Sequence, residues 1–270
     1  MNSDIQTTPL HFPSLAAAVE PTFVRRAEHF ESLPSTNDRA LEIAAALPAS
    51  SVPLLILADR QTAGRGRGRN KWFADEGVLT FSIVLEPKEW QLEPKLWPRL
   101  SVAVGGAVAQ ALAPWSSVGR PALKWPNDVL ICGRKVCGIL IETSPAAPER
   151  LVIGIGINVS NRFDGAPADV AARAISLADA GPERGVGRFT VLNAVLEQLD
   201  RDLQQLAVDP AGLLTRWRRA CALSGRMLAV TEIERVVTGV CLGLEDDASL
   251  LVRSESGPQR CYAGTVTVLD

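Results

Sequence analysis

The chain has 270 residues, 47% of them hydrophobic, and its 28 Lys and Arg against 30 Asp and Glu leave a net charge of −2. That size and balance support one large core, alone or with a small satellite domain, and exclude a disordered chain or a generally cationic nucleic-acid surface. No apolar run reaches the roughly 18 residues of a membrane span, the N-terminus lacks the apolar centre of a signal peptide, and five cysteines without paired spacing suit reduced thiols in the cytoplasm.

In chain order, residues 1–25 read as an extended arm with one short helix, interrupted by Pro9, Pro13 and Pro21 and too short for a DNA-binding module. Ser35-Thr36-Asn37-Asp38 precedes apolar residues at helical spacing, which predicts a capped helix over 36–47. A buried strand follows at 54–58, then the basic loop Ala63-Gly64-Arg65-Gly66-Arg67-Gly68-Arg69-Asn70-Lys71-Trp72, a second strand at 78–85 and a buried helix at 100–112. Strand pieces at 123–125 and 129–132 lead through Gly133-Arg134 into a strand at 135–142, completing a hairpin. In the strand 151–159, Val152, Gly154, Gly156 and Asn158 share one face by the two-residue period, which leaves a bare strip for a flat ligand or another backbone. Helical patterns near 168–180, 188–206 and 210–222 close this part. After Ser224-Gly225 the texture becomes short alternating strands, which predicts a small barrel over 225–270.

Three segments carry chemistry. Glycines let the backbone of the basic loop approach a ligand, and arginine forks match phosphate or carboxylate oxygens, so the loop reads as an anion clamp; a solvated turn or a nucleic-acid contact are its plainer readings. In Lys124-Trp125-Pro126-Asn127-Asp128 the lysine sits in so apolar a setting that it asks for an anionic partner, although a strand end followed by a turn would also explain the segment. Ser35, Thr36 and Asn37 are at least a helix cap and could also face a small polar head group, and Asn158 is either a strand-end hydrogen bonder or part of a pocket. The only histidines, His11 and His29, precede these segments, which disfavours triads and zinc hydrolysis and favours chemistry whose nucleophile belongs to a substrate.

With those residues in view, residues 30–270 resemble the biotin protein ligases, through Ser35-Thr36-Asn37, Gln61-Thr62-Ala63-Gly64-Arg65-Gly66-Arg67, Lys124-Trp125-Pro126-Asn127-Asp128, Lys135 with Gly138-Ile139-Leu140-Ile141-Glu142, and Gly154-Ile155-Gly156-Ile157-Asn158-Val159. The resemblance implies an α+β catalytic domain similar to class II tRNA synthetases, with a mixed sheet, over 26–224, and a small SH3-like β-barrel over 225–270. It implies ATP-dependent formation of biotinyl-5′-AMP, with Mg2+ on the phosphates, and transfer of biotin to a lysine of a biotin carboxyl carrier protein of acetyl-CoA carboxylase or another biotin-dependent carboxylase. Carried over by position, Ser35, Thr36, Asn37, Gln61, Arg65, Gly66, Arg67 and Lys124 would bind biotin. Arg67, Trp72, Asn127, Lys135 and Asn158 would hold the nucleotide, and Lys124 and Arg67 would serve catalysis, without a protein-bound metal. The segment Gly68-Arg69-Asn70-Lys71 departs from the usual loop pattern. The short N-terminal arm leaves no room for a repressor-type helix-turn-helix and so implies a monofunctional ligase without operator DNA; no membrane partner is expected, and homodimer formation is left open. The rival readings are a lipoate or octanoate ligase on the same scaffold and a non-catalytic nucleic-acid binder.

Overall fold

The computed structural model describes residues 13–181 and 186–269. Most of the expected N-terminal arm therefore lies outside the described residues; its remainder holds α1 (Leu15–Val19). Next come β1 (Arg26–Leu33), α2 (Thr36–Ile43), β2 (Leu54–Gln61), β3 (Val78–Leu85), α3 (Leu100–Leu112), β4 (Ala122–Lys124), β5 (Asp128–Ile131), β6 (Arg134–Ser144) and β7 (Ala147–Asn158). The helices α4 (Ala168–Arg173), α5 (Leu177–Ala180), α6 (Arg188–Val208) and α7 (Pro210–Ala220) precede β8 (Met227–Thr231), β9 (Val236–Leu244), β10 (Leu250–Ser254), β11 (Gly257–Cys261) and β12 (Thr265–Val268).

The first seven strands form one mixed sheet in the order β1-β2-β3-β7-β6-β5-β4, parallel only between β1 and β2. Its central strands are buried on both faces, and the two-residue period sorts their side chains. Leu55, Leu57, Phe81, Ile83, Ile153 and Ile155 pack toward α3 and α6, in the main core. Leu54, Ile56, Val84 and Val152 turn the other way, against Ala40 and Ala44. The short α2 covers only part of this second face. What it leaves open, over β7, β6 and β5, becomes the floor of a cleft.

Three expectations need correction. β1 went unpredicted because its burial alternates irregularly along a polar edge sequence, RAEHFESL. The pattern at 168–180 is two helices rather than one, since Ala174-Ile175-Ser176 breaks it and Ser176 caps the second with a reciprocal bond to Asp179. The last five strands form an open ladder, β11-β10-β9-β8-β12, in which β11 and β12 do not pair, rather than a closed barrel. This second sheet packs on the first through a continuous apolar core and specific bonds: Trp125 Nε1 donates to the Ala248 carbonyl at 3.0 Å, and Arg218 Nε to the Leu244 carbonyl at 2.7 Å.

Where α2, β3 and β7 meet, Arg150 and Glu86 form a buried ion pair, 8% and 4% exposed, with Nη2 3.0 Å from Oε1. Arg150 also donates to the Ala44 carbonyl, and Lys88 reaches the outer oxygen of Glu86. Bonding to Lys88, against the opposing effect of burial and with help from Arg150, lowers the Glu86 pKa below its ordinary 4.5. A carboxylate with a lowered folded-state pKa adds stability that is complete above the unfolded value and drains as pH falls through the folded one. Arg150→Met should therefore cost about 3 kcal/mol at neutral pH by leaving Glu86 buried with one partner fewer. The difference from the parent should shrink below about pH 4.5 as the carboxylate protonates. Urea unfolding at both pH values checks this, and an equal deficit at each would contradict the pairing argument.

Candidate active site

The open part of the second face is the floor of a cleft of about 1110 Å3, roofed by the 62–74 segment and by the edge of the second sheet. All twelve residues singled out from the sequence line it. At its closed end, Ser35 caps α2, its Oγ accepting from Asp38 N. Gln61 Oε1 accepts from Thr36 N at 2.6 Å and Thr36 Oγ1 at 3.1 Å. The Ser82 hydroxyl, fully buried, is shared between Thr36 Oγ1 at 2.8 Å and Asn37 Oδ1 at 2.6 Å. Asn37 Nδ2 spends both hydrogens on the Leu140 carbonyl and Glu142 Oε2.

Hydrogen-bond accounting over these residues leaves a defined remainder. Ser35 keeps its hydroxyl proton, Gln61 keeps its amide N–H pair, and Asn37 Oδ1 keeps one lone pair. Ser35, Thr36 and Asn37 are all at most 4% exposed, and the unspent groups of Ser35, Asn37 and Gln61 border the cleft.

The strip left bare by the glycines of β7 is filled by the protein itself. A Cβ at Gly154 would lie 2.1 Å from Asn37 Oδ1, and one at Gly156 would lie 2.3 Å from the Trp72 indole. Trp72 thus lies flat on the sheet, with Lys135 Nζ 5.7 Å from its ring centroid. Lys135 is held in turn by Asp128 at 2.6 Å, and Asn158 Nδ2 donates to the Lys135 carbonyl. Asn127 Nδ2 donates to the Ile139 carbonyl at 2.7 Å.

The basic loop is a folded hairpin: Gly66 N bonds Asn70 O, Trp72 N bonds Gly64 O, and Gly68 takes the left-handed turn position at φ +62°. Its arginines differ in role. Arg65 gives Nη1 and Nη2 to the two oxygens of Glu142 at 3.0 and 2.7 Å and Nε to Asp38 at 2.7 Å, and the Glu142 bonds raise its pKa. Among the described residues Arg67 has only a carbonyl partner, Gly264 O at 3.2 Å on the turn before β12. Burial lowers its pKa, with the Asp128 charge opposing. Lys124 has no hydrogen bond or ion pair among the described residues. Burial lowers its pKa first, the nearby Lys135 and Arg173 charges add to this, and Asp128 opposes. Arg67 and Lys124 are therefore cations that an anion in the cleft would relieve.

Sequence reasoning gave no role to Ser82, Asp38 or Glu142. Ser82 was visible as a polar break in the apolar run of β3, while Asp38 and Glu142 stood inside quoted motifs, where nothing in their spacing announced that Arg65 joins them.

The chain matches the biotin/lipoate A/B protein ligase family over residues 29–158. It is 31% identical to the biotin–[acetyl-CoA-carboxylase] ligase of Mycobacterium tuberculosis, across 73% of this chain and 72% of that one. The chain belongs to the biotin/lipoate ligase family. It is also 32% identical to the bifunctional ligase/repressor BirA of Bacillus spizizenii over 78% of its own length, and spans 65% of that relative. The biotin protein ligase of Aquifex aeolicus, solved with biotin and ATP, superposes with a TM-score of 0.77 at 29% identity, covering 91% of this chain and 99% of that one.

The hairpin's seat gives a direct test. Gly156→Ala should dislodge Trp72, and trypsin should then cut at Arg65, Arg67, Arg69 or Lys71 faster than in the parent. Unchanged proteolysis would mean that the indole does not anchor the hairpin.

Proposed function

We propose that the chain joins biotin to ATP, giving biotinyl-5′-AMP and pyrophosphate, and passes the biotinyl group to a lysine of a biotin carboxyl carrier protein. The observation that carries this reading is the polarity of the cleft: a closed end of unspent neutral donors and acceptors, followed by two half-buried cations without carboxylate partners among the described residues. A ureido ring presents one carbonyl flanked by N–H groups, which suits the Ser35 hydroxyl, the Gln61 amide and Asn37 Oδ1. The carboxylate at the end of a valeryl chain would then lie among Lys124 and Arg67. The relatives' names and the biotin- and ATP-bound neighbour support the same assignment.

In the first step a carboxylate oxygen of biotin attacks the α-phosphorus and the bond to the bridging oxygen breaks, so that pyrophosphate leaves. Lys124 stabilises charge as it builds on the α-phosphate, and Arg67 exchanges its neutral carbonyl partner for an oxyanion. In the second step the acceptor lysine, as a free amine, attacks the acyl carbonyl, loses a proton and expels AMP. Trp72, Lys135, Asn127 and Asn158 are assigned to the nucleotide. Asp128, the carboxylate on the cleft floor, is spent on Lys135, and the described residues hold no cluster of three potential metal ligands. Magnesium is assigned to the ATP substrate.

The rival readings fare worse on particular residues. A dithiolane has neither N–H nor carbonyl, so lipoate would leave the buried Ser35 and Asn37 groups unpaired at roughly 1–3 kcal/mol each, and the half-buried Gln61 amide without a partner. For nucleic acid, Arg65 is spent on carboxylates and Arg67 points into the cleft, leaving Arg69 and Lys71 as the loop's exposed cations, too few for a patch. We assign catalysis to residues 26–224, read as a class II synthetase-like scaffold, and residues 225–270 to an SH3-like unit. The adjacency of its first and last strands, β8 and β12, supports the latter. No helix among the described residues is long and apolar enough to cross a membrane, which is compatible with the cytoplasmic setting proposed.

Pyrophosphate–ATP exchange tests the reading. Exchange should require biotin, with lipoate inactive, and Lys124→Ala should lower it on the order of 100-fold while the protein stays folded. Exchange driven by lipoate, or undiminished in the variant, would overturn it.

A further inference from the structure

Glu142 lies on β6, with its side chain against both the closed end of the cleft and the hairpin that roofs it. Its Oε2 accepts from Asn37 Nδ2 at 2.8 Å, and both its oxygens engage the fork of Arg65. No other carboxylate among the described residues bonds to both parts of the cleft. We propose that Glu142 is a positioning residue that couples the head-group pocket to the hairpin, orienting Asn37 with the same carboxylate that holds the fork of Arg65 in the roof.

An amide can face either way, and its value to a ligand depends on which end points inward. In Asn37, Nδ2 is committed to Glu142 and to the Leu140 carbonyl, and Ser82 donates to Oδ1, so the oxygen is the end left with an unspent lone pair. The missing Cβ of Gly154 provides the notch in which that amide sits. The same Glu142 binds Arg65 bidentately, the geometry in which a guanidinium fork loses most freedom, and Arg65 is paired across the hairpin with Lys71 by an isolated β-bridge. Asp38, next to Asn37 on α2, takes the third donor of Arg65. Arg65 is thereby a brace for the roof rather than a direct ligand, and Arg67 is the roof's fork held only by a carbonyl among the described residues.

This proposal deepens the biotin reading and rests on it for the identity of the head group, but its physical core is separable. Hydrogen exchange at the Gly66 and Trp72 amides, which close the hairpin onto Asn70 and Gly64, reports the brace without any ligand. Biotin titration by calorimetry reports the pocket. Glu142→Gln keeps the shape but removes the charge and one oxygen, and Arg65→Met removes the brace from the exposed side.

Each variant should speed exchange at the two amides and weaken biotin binding by about tenfold, and the double variant should be within about twofold of the worse single one, because both act through one link. A role confined to fold stability would lower the unfolding midpoint while leaving the two amides and the biotin affinity of the folded protein at parental values. That result in either variant overturns the proposal, as do fully additive losses. If the parent itself fails to bind biotin, the functional reading falls, and the amide exchange still decides whether Glu142 braces the hairpin.

Discussion

Everything distinctive about this cleft depends on two cations, Lys124 and Arg67, half-buried without carboxylate partners among the described residues. Desolvating an ammonium or guanidinium is costly, and a protein ordinarily answers with an acidic partner, as it does for Arg65 with Glu142 and Asp38 and for Arg150 with Glu86. Lys124 and Arg67 receive no such answer, and both are held below their ordinary pKa by burial. The fold carries that unfavourable local arrangement because the large two-sided core beneath it stabilises the whole. The cations are prepared for an anion that arrives with the substrates, and they need little reorganisation when it does.

Glycine placement makes the arrangement fit. On β7 the apolar Ile153, Ile155 and Ile157 anchor the strand in the main core, while Gly154 and Gly156 on the opposite face admit Asn37 and Trp72 against the backbone. One strand thus builds the core with one face and seats the site with the other. The second sheet adds to the roof through Gly264, whose carbonyl receives Arg67, and it is joined to the Lys124 segment by Trp125 bonding Ala248.

Much of this was legible in the sequence where one physical signal dominates. β3 and α3 matched the expected bounds because a predominantly apolar run sets both ends of each. The shared face of Val152, Gly154, Gly156 and Asn158 followed from the strand period. β1 was hidden because an edge strand needs only partial burial and its residues are mostly polar. The first residues of β7 were hidden because the charged Arg150 is buried there by a pairing with Glu86 that lies 64 positions away. For the site, the motifs located the residues, whereas their division of labour came from three-dimensional pairing. Arg65 and Arg67 look equivalent as letters, yet one is spent on two carboxylates and the other only on a carbonyl.

A crystal structure of the full chain grown with biotin and a non-hydrolysable ATP analogue would test the central claim most directly. The ureido group should lie in hydrogen-bonding reach of Ser35 and Asn37, and the carboxylate and α-phosphate against Lys124 and Arg67, with the Arg65–Glu142 pair intact. Biotin bound with its carboxylate at Ser35–Asn37, or both ligands bound with Lys124 and Arg67 left without an anion, would contradict it.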